Sequence, residues 1–118
     1  MTTVHQMPAM TDRELLELAA KAAGHELDWY PSTRCDLVTK RSVGEVVKLD
    51  WNPLTDDGDA LRLAVKLGIA PIQDQKEKVC AAYWTDVHCV HSAYKDDPNA
   101  ATRRAIVRAA AEIGRSMK

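Results

Sequence analysis

The sequence contains no phenylalanine, and aromatic residues make up only 5% of its 118 residues. No apolar run approaches the ~18 residues that a membrane-spanning helix needs. The first ten residues also lack the basic region and apolar core of a secretory signal peptide. These absences predict a protein that neither spans a membrane nor is exported by a signal peptide.

Neither sign of charge is in excess, because 16 lysines and arginines face 17 acidic residues and the net charge is −1. Near-neutrality argues against a protein that coats nucleic acid without specificity. The charge is nevertheless uneven along the chain. Residues 43–75 hold six acids and three bases, whereas residues 98–118 hold five bases and one acid. A local basic surface near the end of the chain therefore stays open.

Cysteine is scarce, with Cys35, Cys80 and Cys89 as the only three. An odd number without paired spacing is not the pattern of a small secreted disulfide scaffold. We therefore expect three reduced thiols and a cytoplasmic protein.

Three amphipathic helices are predicted from apolar spacing and from capping residues at their ends. The first begins at a capping box formed by Thr11 and Glu14 and ends at Gly24. The second begins after Thr55 or Asp56 and ends at Gly68. The third begins at Asp97, with proline in the first helical position, and runs close to the end of the chain. Residues spaced by three or four form the three apolar stripes: Leu15, Leu18, Ala19 and Ala22; Ala60, Leu63, Ala64 and Leu67; Ile106, Ala109, Ala110 and Ile113.

The strand signals are shorter. Residues 79–84 and 87–94 predict a hairpin, residues 45–49 and 69–72 predict extended segments, and residues 27–30 allow an edge strand. Residues 31–42 are polar and mixed and predict a loop, with a short strand around residues 37–38 as the alternative. The expected fold is α+β, a three-layer α-β-α sandwich in which a small, mainly antiparallel sheet is covered by three amphipathic helices. A two-layer arrangement is the alternative. Residues 1–10 are expected to be a flexible tail and residues 11–118 a single domain.

Cys80, His88, Cys89 and His91 are the only cluster of soft-metal ligand types. Their spacing matches no zinc template, and in a strand His88 and His91 face opposite sides of the sheet. A buried cysteine pair with histidines at its rim is therefore the preferred interpretation, and a metal site is the weaker one. No cofactor-binding motif appears in the chain.

No arrangement of nucleophile, histidine and acid is recognisable, so no catalytic residue is predicted. A hydrolase using Cys89, or a metal held by Asp50, Asp56, Asp57 and Asp59, stays a minor alternative. Helix capping explains most of these aspartates without any metal.

Two surface features are candidates for interaction. Arg104, Arg108 and Arg115 form a basic stripe on the last helix, which suits either a solvated face or phosphate contacts. Tryptophan is a frequent anchor of protein interfaces, so Trp29 is a second candidate. Trp51 and Trp84 are instead expected to fill the core.

Three segments together resemble the phage ABA-sandwich domain family, small tailed-phage and prophage proteins that include distantly similar NinX-like proteins. Residues 51–61 (WNPLTDDGDAL) are similar to the W/Y-x-P-x-T-D segment that opens that family's middle helix. Residues 97–110 resemble its terminal helix, and residues 14–20 resemble its first helix. The resemblance spans residues 10–113. It implies a sandwich fold and a phage origin and carries no catalytic residues.

We therefore expect a phage or prophage accessory protein in the host cytoplasm that binds a host or phage protein without catalysis. A small nucleic-acid-binding module that uses the last helix is the alternative. A homo-oligomer formed through an edge of the sheet stays open.

Overall fold

The computed structural model describes residues 2–6, 9–31, 34–40 and 44–117, and over these residues it contains three helices and two sheets. The helices are α1 (Asp12–Ala22), α2 (Asp57–Leu67) and α3 (Pro98–Ser116). The strands are β1 (Thr3–Val4), β2 (His25–Trp29), β3 (Cys35–Thr39), β4 (Val46–Lys48), β5 (Ala70–Asp74), β6 (Val79–Tyr83) and β7 (His88–Ala93). The α+β class and the three amphipathic helices are confirmed.

The helices begin and end where their capping residues predict. The Thr11 hydroxyl accepts from the Glu14 amide, and the Glu14 carboxylate accepts from the Thr11 amide. Asp56 caps α2, and Asp97 caps α3. Left-handed glycines follow α1 and α2, with φ of 82° at Gly24 and 69° at Gly68. Local hydrogen-bonding chemistry thus fixes the bounds of all three helices.

The larger sheet has the strand order β1-β7-β6-β5. Its central pair, β6 and β7, is the predicted antiparallel hairpin, and β5 is the predicted edge strand. Helix α3 packs on one face, where Cys80, Ala82 and Val90 are fully buried. On the other face Ile72 and His91 are exposed, so the sheet is covered by helix on one side.

The second sheet, with the order β2-β3-β4, is where the structure departs from the expected single sheet. Residues 35–39 lie in the segment that was predicted to be a loop, of which residues 32–33 and 41–42 lie outside the described residues. They pair with all of β2, from His25 opposite Thr39 to Trp29 opposite Cys35. Strand β2 alternates, with Leu27 and Trp29 on its more buried side, but β3 shows no such alternation, so the sequence does not indicate the pairing.

The order of layers follows from the second sheet. Contacts run from the four-stranded sheet to α3, from α3 to α1 and α2, and from these two helices to the three-stranded sheet. The helices therefore lie between two sheets, in place of the expected outer helical layers around one sheet.

The N-terminal segment also differs from the expected tail. Thr3 and Val4 pair in parallel with His88 and Cys89, and the His5 amide donates to the Cys89 carbonyl at 2.8 Å. A two-residue strand has no periodicity, so no local signal announces it. Residues 1, 7 and 8 of the predicted tail lie outside the described part of the chain.

Small residues allow α1 and α3 to approach each other closely. A Cβ added to Gly114 would lie 2.1 Å from the Leu18 carbonyl oxygen, so the two helix backbones are in contact there. Ala19 of α1 and Ala110 of α3 are fully buried. The core also contains Trp51, as predicted. Trp84 is half-buried and packs against this core.

Candidate functional site

The basic stripe of α3 is exposed in part, but its three arginines contact groups of the same chain. Arg104 pairs with Asp12 at 3.0 Å, and Arg115 pairs with Glu112 at 3.0 Å. Arg108 donates to the His91 carbonyl at 2.7 Å, and burial is the main cause that lowers the pKa of its guanidinium. A phosphate would have to compete with these partners for each arginine.

Trp29 is half-buried and is held by two side chains of α1. The Arg13 guanidinium lies 4.3 Å from the centre of the Trp29 ring, within the range of a cation–π contact. The indole Nε1 donates to Glu17 at 3.1 Å. Part of the apolar surface that would make Trp29 an anchor is therefore already covered.

The four weak metal candidates are divided between the two faces of the larger sheet. Cys80 and His88 lie on the face toward α3, and Cys89 and His91 lie on the opposite face. Over the described residues, no group of three or more metal-ligand side chains is close enough to hold an ion.

The cysteine thiols are all free and buried. Burial raises the pKa of Cys80, and it raises the pKa of Cys35 to about 11. Cys89 is fully buried, and its neighbour His88 points to the other face of the sheet. A buried, protonated thiol is a poor nucleophile. The raised pKa values of Cys35 and Cys80 therefore do not favour a cysteine hydrolase at either residue.

The aspartates near α2 act locally. Asp56 caps the helix, and Asp57 pairs with Arg103 at 2.7 Å. Asp59 is buried and bonds to the Arg62 guanidinium at 2.6 Å and to the Asn52 amide at 3.0 Å. A buried carboxylate needs such partners, and here they fix the loop before α2 against the helix.

A histidine cluster that the sequence does not announce joins the N-terminal segment to α3. His5 Nε2 lies 2.8 Å from His88 Nδ1, and His5 Nδ1 lies 3.4 Å from Glu112 Oε1. The Trp84 ring lies beside both histidines. His5 and Glu112 are far apart in sequence, so only the fold brings them together. The contacts of His5 with His88 and Glu112 hold the N-terminal segment against β7 and α3.

A concave surface with a mainly apolar lining lies between α2 and the three-stranded sheet. It is a cavity of about 380 Å³. Its apolar lining comes from five side chains: Ala23, Leu37, Val47, Trp51 and Leu63. Its remaining lining is basic: His25, Lys48, Arg62 and Lys66. An apolar floor with a few polar groups at the rim is typical of a ligand pocket.

The charge at this rim is only partly compensated within the chain. Arg62 and Lys48 lie 2.6 and 3.5 Å from Asp59. Lys66, by contrast, forms no ion pair with any carboxylate in the described ranges, and its Nζ lies 3.1 Å from His25 Nε2. The Lys66 end of the cavity is therefore positively charged.

His25 lies beside Lys66 at the same end. A lysine ammonium can only donate, so His25 Nε2 accepts from Lys66 and the ring proton lies on Nδ1. Nδ1 is buried and has no partner among the described residues. Burial, followed by Lys66 and Lys40, lowers the pKa of His25, which keeps the ring neutral near pH 7. A buried donor without an acceptor costs about 1–3 kcal/mol, and because Nδ1 has no accessible surface, a ligand in the cavity does not relieve this cost.

Strand β4 borders this cavity and forms the outer edge of the smaller sheet. Val46 is 55% exposed, Val47 is 48% exposed, and Leu49 just after the strand is 60% exposed. In the part of the chain that the structure describes, β4 pairs only with β3. Its outer backbone groups are therefore available for pairing with another strand.

Sequence reasoning identified neither the cavity nor the β4 edge as a candidate. The one available signal was the run Val46-Val47-Lys48-Leu49, whose three apolar residues are too many for a solvated turn. The rim residues Arg62 and Lys66 lie one turn apart on α2, but His25 comes from β2, so its proximity to them needs the fold.

Comparison of the chain with protein-family models, with curated proteins and with solved structures finds no match. Among the described residues, no helix combines the length and apolar character needed to cross a bilayer. The α+β fold and the surfaces described above are therefore the basis for the function proposed next.

Proposed function

We propose that this chain is a phage or prophage accessory protein of the host cytoplasm that binds another protein and catalyses no reaction. The phage assignment rests on the resemblance of residues 10–113 to the ABA-sandwich family. The interaction surface that we assign is the edge of β4. Its exposed valines and leucine are the observation that carries the proposal.

An apolar strand edge recognises an extended segment of a partner through backbone hydrogen bonds and alternate side chains. Natural proteins usually protect such edges with charged residues or bulges, because an open edge promotes association. The pairing of β3 with β4 shifts register between Leu37 and Val38, so this edge carries such an irregularity. Val46 and Val47 nevertheless stay about half exposed, which leaves the edge accessible.

The expected partner segment carries acidic residues next to apolar ones. Lys48 lies in β4 itself, and Arg62 of α2 shares the buried Asp59 with it. Among the described residues, Asp59 and the exposed Asp56 are the carboxylates that pair with these two cations. Complementary charge would orient the segment and accelerate its association.

The nucleic-acid alternative depends on the basic stripe of α3, whose arginines contact Asp12, Glu112 and a backbone carbonyl. None of these contacts favours phosphate binding over a structural role. Protein binding through β4 is therefore the function that the described surfaces support best.

The test is capture of partners from host lysate, with and without nuclease, using the wild-type chain and two lysine variants. Val46→Lys places a charge on the strand edge, whereas Val65→Lys places the same charge on the outer side of α2, where Val65 is 73% exposed. We expect a protein partner that survives nuclease, is lost with Val46→Lys and is retained with Val65→Lys.

Three outcomes would overturn the proposal. Capture that disappears with nuclease would favour nucleic acid, and capture that is equal for both variants would remove β4 as the surface. Recovery of only a second copy of the chain would make the edge an oligomer interface instead.

A further inference from the structure

We propose that the cavity between α2 and the three-stranded sheet is a separate binding site for a small organic carboxylate with an apolar body. This site goes beyond the proposed function because such a ligand uses the cavity and not the outer edge of β4. Val46, which defines that edge, does not line the cavity.

The apolar body is accommodated by the floor of the cavity. Trp51 and Leu63 are almost fully buried in the core and present a fixed surface. Val47 forms part of the cavity wall and is half exposed, so it lies where a ligand would enter. The volume of about 380 Å³ falls within the range of small-molecule pockets.

The carboxylate is selected by the charge at one end of the cavity. Lys66 supplies a positive charge without a carboxylate partner in the described ranges, and its Nζ lies beside the His25 ring. A carboxylate oxygen carries the opposite charge and accepts hydrogen bonds from the ammonium group. An ammonium ligand would be repelled by Lys66, and an uncharged alcohol would gain no ion pair.

Arg62 and Lys48 have a different role at the rim. Both contact the buried Asp59, so they add positive potential that this carboxylate partly offsets. The net charge at the rim therefore favours an anion even before direct contact.

The experiment is calorimetric titration of the full chain with octanoate and with 4-phenylbutyrate. Acetate supplies the charge without the apolar body, and octanol supplies the apolar body without the charge. We expect saturable one-to-one binding of at least one of the two acids, and binding at least about tenfold weaker for acetate and for octanol.

Matched variants locate the site. Val47→Asp places a negative charge in the cavity wall and should abolish acid binding, whereas Val46→Asp places the same charge one residue away and should leave it unchanged. Lys66→Gln should weaken binding about tenfold, and Lys76→Gln, in the exposed turn before β6, should have no effect.

A second readout follows His25 directly. Because a bound carboxylate favours the charged imidazole, saturation with the acid should raise the pKa of His25 in an NMR titration. Absence of saturable binding of both acids would overturn the proposal, and so would binding that survives both Val47→Asp and Lys66→Gln. Neither result would affect the β4 edge, whose test depends on Val46.

Discussion

Helices α1 and α2 have the same length of 11 residues and are each followed by a left-handed glycine, yet they pack in opposite ways. Helix α1 lies so close to α3 that Gly114 touches the Leu18 backbone. Helix α2 leaves a cavity against the three-stranded sheet and exposes Leu61 and Val65 on its outer side. Two helices with the same length and similar ends therefore pack differently. Helix α1 is in close contact with α3, whereas a cavity remains between α2 and the three-stranded sheet.

The size of the residues opposite each helix explains this difference. Alanine and glycine on α3 let the backbone of α1 approach closely, and this packing leaves no room for a cavity between the two helices. Opposite α2, the larger Trp51 and Leu37 keep the sheet and the helix apart near His25 and Lys66. The comparison predicts that small changes are costly on the α1 side and tolerated at the rim on the α2 side.

The largest expected effect is at the contact of α1 and α3. Gly114→Ala would place a methyl group 2.1 Å from a backbone oxygen that cannot move independently. Overpacking of this kind costs about 3 kcal/mol of unfolding free energy. Thermal or urea unfolding measures the loss.

Gly58→Ala is the matched control in α2. There the added Cβ lies 3.2 Å from the end of the flexible Arg62 side chain, and alanine favours a helix by up to about 1 kcal/mol over glycine. We expect little or no loss of stability. Equal losses for the two variants would contradict the difference in packing.

The next largest effect is expected at the buried carboxylate behind the cavity. Asp59→Asn removes the charge that holds Arg62 and Lys48, and it should cost about 1–3 kcal/mol in urea unfolding. Asp57→Asn is the control, because Asp57 pairs with Arg103 while its side chain is mostly exposed, and a cost below about 1 kcal/mol is expected. An Asp59→Asn variant with an unchanged free energy of unfolding would show that Asp59 does not organise the rim.

The smallest effect concerns pH. The pKa of His25 in the folded chain lies below the ordinary value of 6.5, so the unfolded chain binds more protons than the folded chain as the pH falls below 6.5. Stability attributable to His25 is therefore fully present above that pH and is lost below it, down to the folded pKa.

Urea unfolding at several pH values between 7 and 5 measures this loss. His25→Gln should reduce the pH dependence in this window, and His91→Gln, on the exposed face of the larger sheet, should leave it unchanged. An unchanged slope in His25→Gln would mean that the imidazole is not destabilised by its position at the cavity.

The helices were predictable because their signals are local. Thr11, Asp56 and Asp97 cap helices through hydrogen bonds that span two or three residues, and the β6–β7 hairpin is also local. The second sheet was predictable only in part, because residues 27–30 and 45–49 indicate β2 and β4 but not their pairing with β3. Strand β3 pairs with β2 and β4 through backbone bonds that any side chains permit, so polar residues such as Asp36 conceal it.

The candidate surfaces were harder to predict from the sequence than the strands of the second sheet. The sequence predicts the arginines of α3 on its outer face, and the structure leaves them partly exposed, but Asp12 and the His91 carbonyl reach them only through the fold. The cavity needs His25 from β2, Trp51 from a loop and Lys66 from α2, and no spacing rule relates these three. His5 and Glu112 show the same limit at the other end of the molecule.

The central claim is that partner binding uses the β4 side of the molecule and not the basic face of α3. Amide hydrogen exchange of the chain, alone and with its captured partner, tests this claim most directly. We predict that slowed exchange on binding is concentrated at residues 45–49. Slowed exchange concentrated at residues 100–115, with no change at residues 45–49, would contradict the account.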